Sequence, residues 1–104
     1  MRVLRAAGHF AVPDGEPNQY REHLRVAEMS VGTYCIPVGG KDGQPAHSED
    51  EVYVVARGRA RLVTDDVDVM IGPGSVVYVP AGEEHQFVEV SEDLSVVVVF
   101  GPRR

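Results

Sequence analysis

Gly74-Ser-Val-Val-Tyr-Val-Pro-Ala-Gly-Glu-Glu-His85 is the stretch on which the rest of the chain is read. Ser75 to Val79, rich in valine with a tyrosine, favours an extended strand, and Pro80-Ala81-Gly82 ends it in a turn. His85 follows at the head of a second apolar run, Gln86 to Val90. The stretch therefore predicts a strand, a tight turn, and a histidine carried into the next strand.

Working outward, the same rhythm recurs. Val52 to Ala56 is a strand that stops at Arg57-Gly58, and Arg59 to Thr64 returns from it to a turn at Asp65-Asp66. Val67, Val69 and Ile71 alternate with Asp68 and Met70, the pattern of a strand with one buried face. Gly72-Pro73-Gly74 breaks that strand. Leu94 to Phe100 closes the C-terminal half, joined to Gln86–Val90 through Ser91-Glu92-Asp93. Upstream, Leu24 to Ile36 reads as one or two strands interrupted at Gly32, and 39–44 as a polar loop. No segment carries helical periodicity with caps. Short strands between glycine and proline turns predict an all-β, antiparallel jelly-roll barrel.

The stretch from Gly74 to His85 resembles the second motif of the cupin family, which runs glycine, five residues, proline, one, glycine, two, histidine, and often asparagine four further on. Glu89 stands where asparagine is usual. The first motif of that family is glycine, five, histidine, one, histidine, three or four, glutamate, six, glycine. Gly39, Pro45, His47, Glu51 and Gly58 fill that frame, with Pro45 in place of the first histidine. The resemblance covers residues 26 to 100. It implies a barrel over 26–104 preceded by a strand or arm over 1–25, one domain in all.

Composition agrees. The 104 residues suffice for one domain with a modest core. A net charge of −6 with scattered basic residues excludes the footprint of a nucleic-acid binder. Val96 to Phe100 is the longest apolar run, far short of the ~20 residues a membrane helix needs. Cys35 is alone, so neither an intrachain disulfide nor a cysteine metal cluster is available. The expectation is a cytoplasmic protein with no membrane and no nucleic-acid partner.

Side chains two apart on a strand face the same way, so His47, Glu49, Glu51 and Tyr53 share a face if their strand is unbroken. His85, Phe87 and Glu89 share another. The resemblance implies that His47, Glu51 and His85 hold a divalent transition metal. Two imidazoles and a carboxylate suit non-haem iron, with zinc, manganese or nickel chemically acceptable. The plainer alternative is that His47 and Glu51 form a metal-free hydrogen-bonded pair. Glu49 either fills the place left by Pro45 or faces water in the loop; as a catalytic group, it or Tyr53 could move a proton. Tyr34, Tyr53, Tyr78 and Phe87 are expected first as core aromatics, with Tyr53 and Phe87 as pocket liners second. Glu89 is expected as pocket wall or exposed, His9 and His23 as surface or satisfied histidines, Cys35 as a small core residue, and Arg59 and Arg61 on a solvated face.

Two functions compete. One is a metal-dependent enzyme of dioxygenase, isomerase or lyase type on a small organic molecule; the other is a non-catalytic binding or sensing module with a degenerate metal site. A sensor is usually joined to an output domain, which tilts the expectation toward the enzyme. A homodimer is also expected, formed when the apolar stretch Val3–Val12 covers a strand edge of a second copy.

Overall fold

The computed structural model describes residues 1–103, with Arg103 described by its backbone alone. Six strands carry the fold: β1 (Gln19–Arg25), β2 (Ser30–Ile36), β3 (Glu49–Val63), β4 (Asp68–Ile71), β5 (Val76–Val79) and β6 (Gln86–Arg103). All pairings are antiparallel and no helix occurs among the described residues. The sheet order is β1-β2-β6-β3-β4, with β5 also on β3.

β3 organises the sheet. Its first half pairs with β5 (Glu51 opposite Val79, Val54 opposite Val76) and its second half with β4 (Ala60 opposite Ile71, Val63 opposite Asp68). β4 and β5 thus lie end to end along one edge of β3, and β6 runs along the other. The Gly72-Pro73-Gly74 break works as expected, since it lets the chain step from β4 to β5. Gly74 donates its N–H to Val55 O and Val55 donates to Ser75 O, so the β3 ladder continues through the break.

Two expected turns are not turns. Val52–Ala56 and Arg59–Val63 belong to one strand, which ends one residue before Thr64, and Gln86–Val90 and Leu94–Phe100 belong to another. Gly58, at φ +91°, is a bulge in the β3–β6 ladder, where register slips on both sides of Arg57. A side chain there would collide with the backbone at Asp93, so glycine is required by close approach as well as by φ. The bulge bends the β3–β6 ribbon, and its far end curls back so that Phe87 packs on Tyr53 at 5.1 Å between ring centroids. The break between β1 and β2 falls at residues 26–29, where Val26 N donates to Met29 O, and Gly32 lies inside β2 beneath the Tyr20 ring.

The core is built from alternate residues: Tyr53 and Val55 on β3, Val96 and Val98 on β6, Tyr34 and Ile36 on β2, with Leu62, Ile71, Val79 and Phe87. Tyr78 is not among them. It is 58% exposed, because β5 turns Val79 inward and therefore Tyr78 outward. The first 18 residues form no strand and fold onto their own chain. Thr33 Oγ1 donates to Ala7 O, His9 Nδ1 is hydrogen-bonded to Ser95 Oγ at 2.5 Å, and Arg21 stacks on Phe10. Cys35 lies under this arm, 1% exposed and 3.3 Å from Ser95 Oγ. His23 is hydrogen-bonded to Thr33 Oγ1 at 2.8 Å, and Arg59 and Arg61 pair outside with Glu92 and with Asp68 and Glu89. No helix among the described residues is long and apolar enough to cross a membrane.

Candidate functional site

Glu51 is the anomaly of the core. Its side chain is 1% exposed on a strand whose inward neighbours are Tyr53 and Val55. Burial of a carboxylate opposes its charged form, and this pushes the Glu51 pKa up, partly offset by His47, His85 and the Tyr53 hydroxyl. The two imidazoles approach opposite oxygens of the carboxylate. His47 Nε2 is 3.6 Å from Oε1 and His85 Nε2 is 3.4 Å from Oε2. Oε1 is buried with no hydrogen-bond partner among the described residues, a costly position for a carboxylate oxygen.

The two histidines arrive from different connections. His85 sits after the Pro80–Gly82 turn, one residue before β6, with its side chain 6% exposed. Its Nδ1 is 2.9 Å from Glu83 O. A carbonyl can only accept, so Nδ1 donates this hydrogen bond and Nε2 is the nitrogen turned inward. There Nε2 meets Tyr53 Oη at 2.6 Å, and the same hydroxyl reaches Glu51 Oε2 at 3.2 Å. Burial, followed by the Glu51 charge, drives the Tyr53 pKa well up, so the phenol keeps its proton.

His47 lies in the loop before β3, since the strand begins only at Glu49. It is 28% exposed, contacts Gln44 Oε1 at 3.4 Å and stands edge-on to the Phe100 ring at 4.9 Å. It opens on a cavity of about 150 Å³ lined by Tyr20, Arg25, Ser30, Gln44, Glu49 and Phe100. His85 opens elsewhere, onto a separate cleft of about 320 Å³ with Asp42, Gln44, Pro45 and Glu84. Glu51 lies between the two.

The structure thus brings His47, Glu51, Tyr53 and His85 together and sets Glu49 at the cavity mouth, near Arg25. Phe87 is core, packed on Tyr53 and Tyr34. Glu89 is outside, 68% exposed at φ 49°, paired to Arg61 at 2.8 Å. Among the described residues no three His, Cys, Asp or Glu side chains are arranged as a finished metal site. The donor set still fits a divalent transition metal in its chemistry, because two imidazole Nε2 atoms flank one buried carboxylate whose Oε1 has no hydrogen-bond partner.

Sequence reasoning missed four contributors. Tyr20 and Phe100 wall the cavity edge to face, 6.2 Å between centroids, and burial raises the Tyr20 pKa to about 12. Arg25 brings a guanidinium to the mouth, though it is paired to Glu22 at 2.6 Å. Asp42, in the loop read as merely polar, is 7% exposed and accepts from Tyr34 Oη (2.8 Å), Gln44 N (3.2 Å) and Phe87 N (3.0 Å). It ties the His47 loop to the start of β6, beside His85. An aspartate followed by glycine gives no sign in sequence of such a long-range role.

A cupin-domain family model matches residues 32–100, two thirds of the chain, and spans both histidine-bearing turns. The chain belongs to the cupin family. An uncharacterized protein of Streptomyces coelicolor is 48% identical over 83 residues, which cover 80% of this chain and 79% of that protein. An RmlC-like cupin of Desulfovibrio desulfuricans superposes with a TM-score of 0.80 at 19% identity, covering 98% of this chain and 97% of the other. A structure of DMSP lyases superposes with a TM-score of 0.72 at 22% identity, over 81% of this cupin and 47% of that chain. These structural likenesses extend to the fold.

Proposed function

We propose that this cupin is a metal-dependent enzyme acting on a small organic molecule, with His47, Glu51 and His85 as the metal donors. The observation that carries the reading is Glu51: a nearly sealed carboxylate with one oxygen unpartnered and an imidazole nitrogen near each oxygen. When bound, a divalent iron, zinc, manganese or nickel ion would supply a Lewis acid or the means to activate dioxygen. The reaction class is that of a dioxygenase, isomerase or lyase. That a protein of the same fold is a DMSP lyase supports the capacity of this scaffold for such work.

The chain's own residues do the rest. Tyr53, protonated and shared between His85 Nε2 and Glu51 Oε2, is the internal proton donor. Tyr20 and Phe100 keep the cavity apolar on one side, and Glu49 and Arg25 flank its mouth with opposite charges. A space of about 150 Å³ admits a ligand of only a few heavy atoms, such as a small diol, hydroxy- or keto-acid.

A second reading has its own observation. Tyr53 occupies His85 Nε2 at 2.6 Å, as in a closed hydrogen-bonded set that binds no metal. That reading makes the protein a metal-free binding module. Elemental analysis of protein prepared without chelator separates the two. The enzyme reading expects substantial transition metal, lost in His85→Ala, and turnover of a chelating substrate. Protein that stays metal-free after reconstitution with all four metals overturns it in favour of the binding module.

A further inference from the structure

His47 and His85 stand near the same carboxylate, yet the sheet does not hold them together. β6 begins with Gln86 opposite Val63, whereas β3 begins at Glu49, so in ladder register the two histidines lie at opposite ends of β3. A hydrogen-bonded circuit outside the ladder joins them. Segments 42–47 and 82–87 run side by side in opposite directions. At one end Gly82 N donates to His47 O at 2.8 Å. At the other, Phe87 N donates to Asp42 Oδ2 at 3.0 Å and Gln86 Nε2 to Asp42 O at 3.2 Å. The cleft beside His85 lies between the two segments.

The ends of the circuit are built differently. The Gly82–His47 end is backbone on both sides and needs no particular side chain. The far end depends on one carboxylate. Asp42 Oδ1 accepts from Tyr34 Oη at 2.8 Å and from Gln44 N at 3.2 Å, while Oδ2 takes Phe87 N. One oxygen thus fixes the loop three residues before His47, and the other fixes the strand two residues after His85. Asp42 is 7% exposed, and the donors that reach its side chain are a phenol and two backbone amides, all neutral. Burying a carboxylate is costly unless it is hydrogen-bonded, and an ionised acceptor strengthens each such bond.

Ligating side chains must be held to within about 0.5 Å of their working geometry by the groups behind them. We propose that Asp42 is the positioning residue of the site: its two oxygens set the spacing of the His47 and His85 imidazoles on either side of Glu51. This rests on the reading of those three residues as donors to one metal ion, and extends it to a residue that is hydrogen-bonded to none of them.

Asp42→Asn tests it, because an amide has one acceptor oxygen. It can serve Gln44 N or Phe87 N, and it meets the other with a second donor. In competition with a chelator, zinc affinity is expected to fall at least about tenfold. In metal-free protein, the nuclear magnetic resonance signals of the His47 and His85 imidazoles should move. Those of His9 and His23, bound to Ser95 and Thr33 on the outer face, should stay in place. Tyr34→Phe is the control for stability. It deletes one buried bond of Asp42 and keeps the Gln44–Phe87 bridge, so zinc affinity and all four imidazole signals should be unchanged. Should Asp42→Asn not fold, Gln86→Ala, which removes the amide bound to Asp42 O, is expected to weaken zinc at least about threefold and to shift the His85 signal. Unmoved His47 and His85 signals in the folded variant overturn the proposal. So does an equal loss of zinc in Tyr34→Phe, which assigns the effect to stability. Wild type that takes up none of the four metals overturns the metal reading instead, and the imidazole signals then decide for or against Asp42 by themselves.

Discussion

Glu51 and Val54, three residues apart on β3, are each on the side opposite to what their chemistry prefers. The carboxylate is 1% exposed inside the barrel, and the valine is 37% exposed outside it. Over the same short span β6 presents Val97 and Val99 outward. This end of the β3–β6 ribbon is inverted relative to an ordinary half-buried sheet. At the other end Arg59 and Arg61 point outward to Glu92 and Asp68 while Ala60 and Leu62 point inward, as solvent dictates. The difference teaches that the ordinary end follows solvent, whereas the inverted end holds a carboxylate inside and valines outside at a cost to stability.

The largest effect is expected at Asp42, which holds the inverted end closed. Asp42→Ala leaves Tyr34 Oη and Phe87 N buried without their acceptor, and the cost is about 3 kcal/mol, the sum of two unsatisfied donors. Urea unfolding at neutral pH measures it. A loss under about 1 kcal/mol would show that the His47 loop is held by other contacts and that the two ends are less distinct than drawn.

A smaller effect, of opposite sign, is expected at Glu51. A buried ionisable group replaced by a well-packed apolar one is often neutral or stabilising, so Glu51→Leu should raise stability by about 1 kcal/mol in metal-free protein. Tyr53 Oη keeps His85 Nε2 as its partner in that variant. Thermal unfolding without metal reads the change. A variant less stable than wild type would mean that Glu51 supports the fold and was not retained for binding alone.

The smallest effect belongs to the ordinary end. Hydrogen bonding to Arg61 holds the Asp68 carboxyl below its usual value of 3.8. A depressed folded pKa gives stability that is present above the ordinary carboxylate range and lost as pH falls through the folded value. Asp68→Asn should therefore lower the unfolding midpoint slightly at neutral pH, and the gap to wild type should close in strong acid. The pair is half exposed, so salt should shrink the gap too. A gap that persists at the lowest pH would assign the loss to packing.

Much of the fold was legible. β-Branched runs punctuated by Gly72-Pro73-Gly74 and Pro80-Ala81-Gly82 gave the strands and the turn that delivers His85. Gly58 misled because a glycine with positive φ serves a bulge as readily as a turn, and only the Asp93 backbone lying against it decides which. Tyr78 misled because alternation gives two faces without saying which is inside. In the site, His47, Glu51 and His85 were suggested by the resemblance to the two cupin motifs and Tyr53 by strand parity, and the structure brings the four together. Tyr20, Arg25 and Asp42 were not suggested, since they reach the site across pairings of β1 or through a loop with no local pattern.

The sequence by itself determined where the chain is extended and which side chains have donor chemistry, for these depend on short-range chemistry: which residues favour extended backbone, where Gly72-Pro73-Gly74 and Pro80-Ala81-Gly82 end it, and which side chains can bind a cation or carry a proton. The tertiary structure alone decided how they are used. It chose the face of each strand that turns inward, because burial depends on what lies across the barrel. It set one imidazole on each oxygen of Glu51 and put the Tyr53 hydroxyl between that carboxylate and His85. It laid the arm against Ser95 and Thr33 and left Val54 and Val76 exposed, since the path of a strandless segment follows the contacts it finds and not its own periodicity.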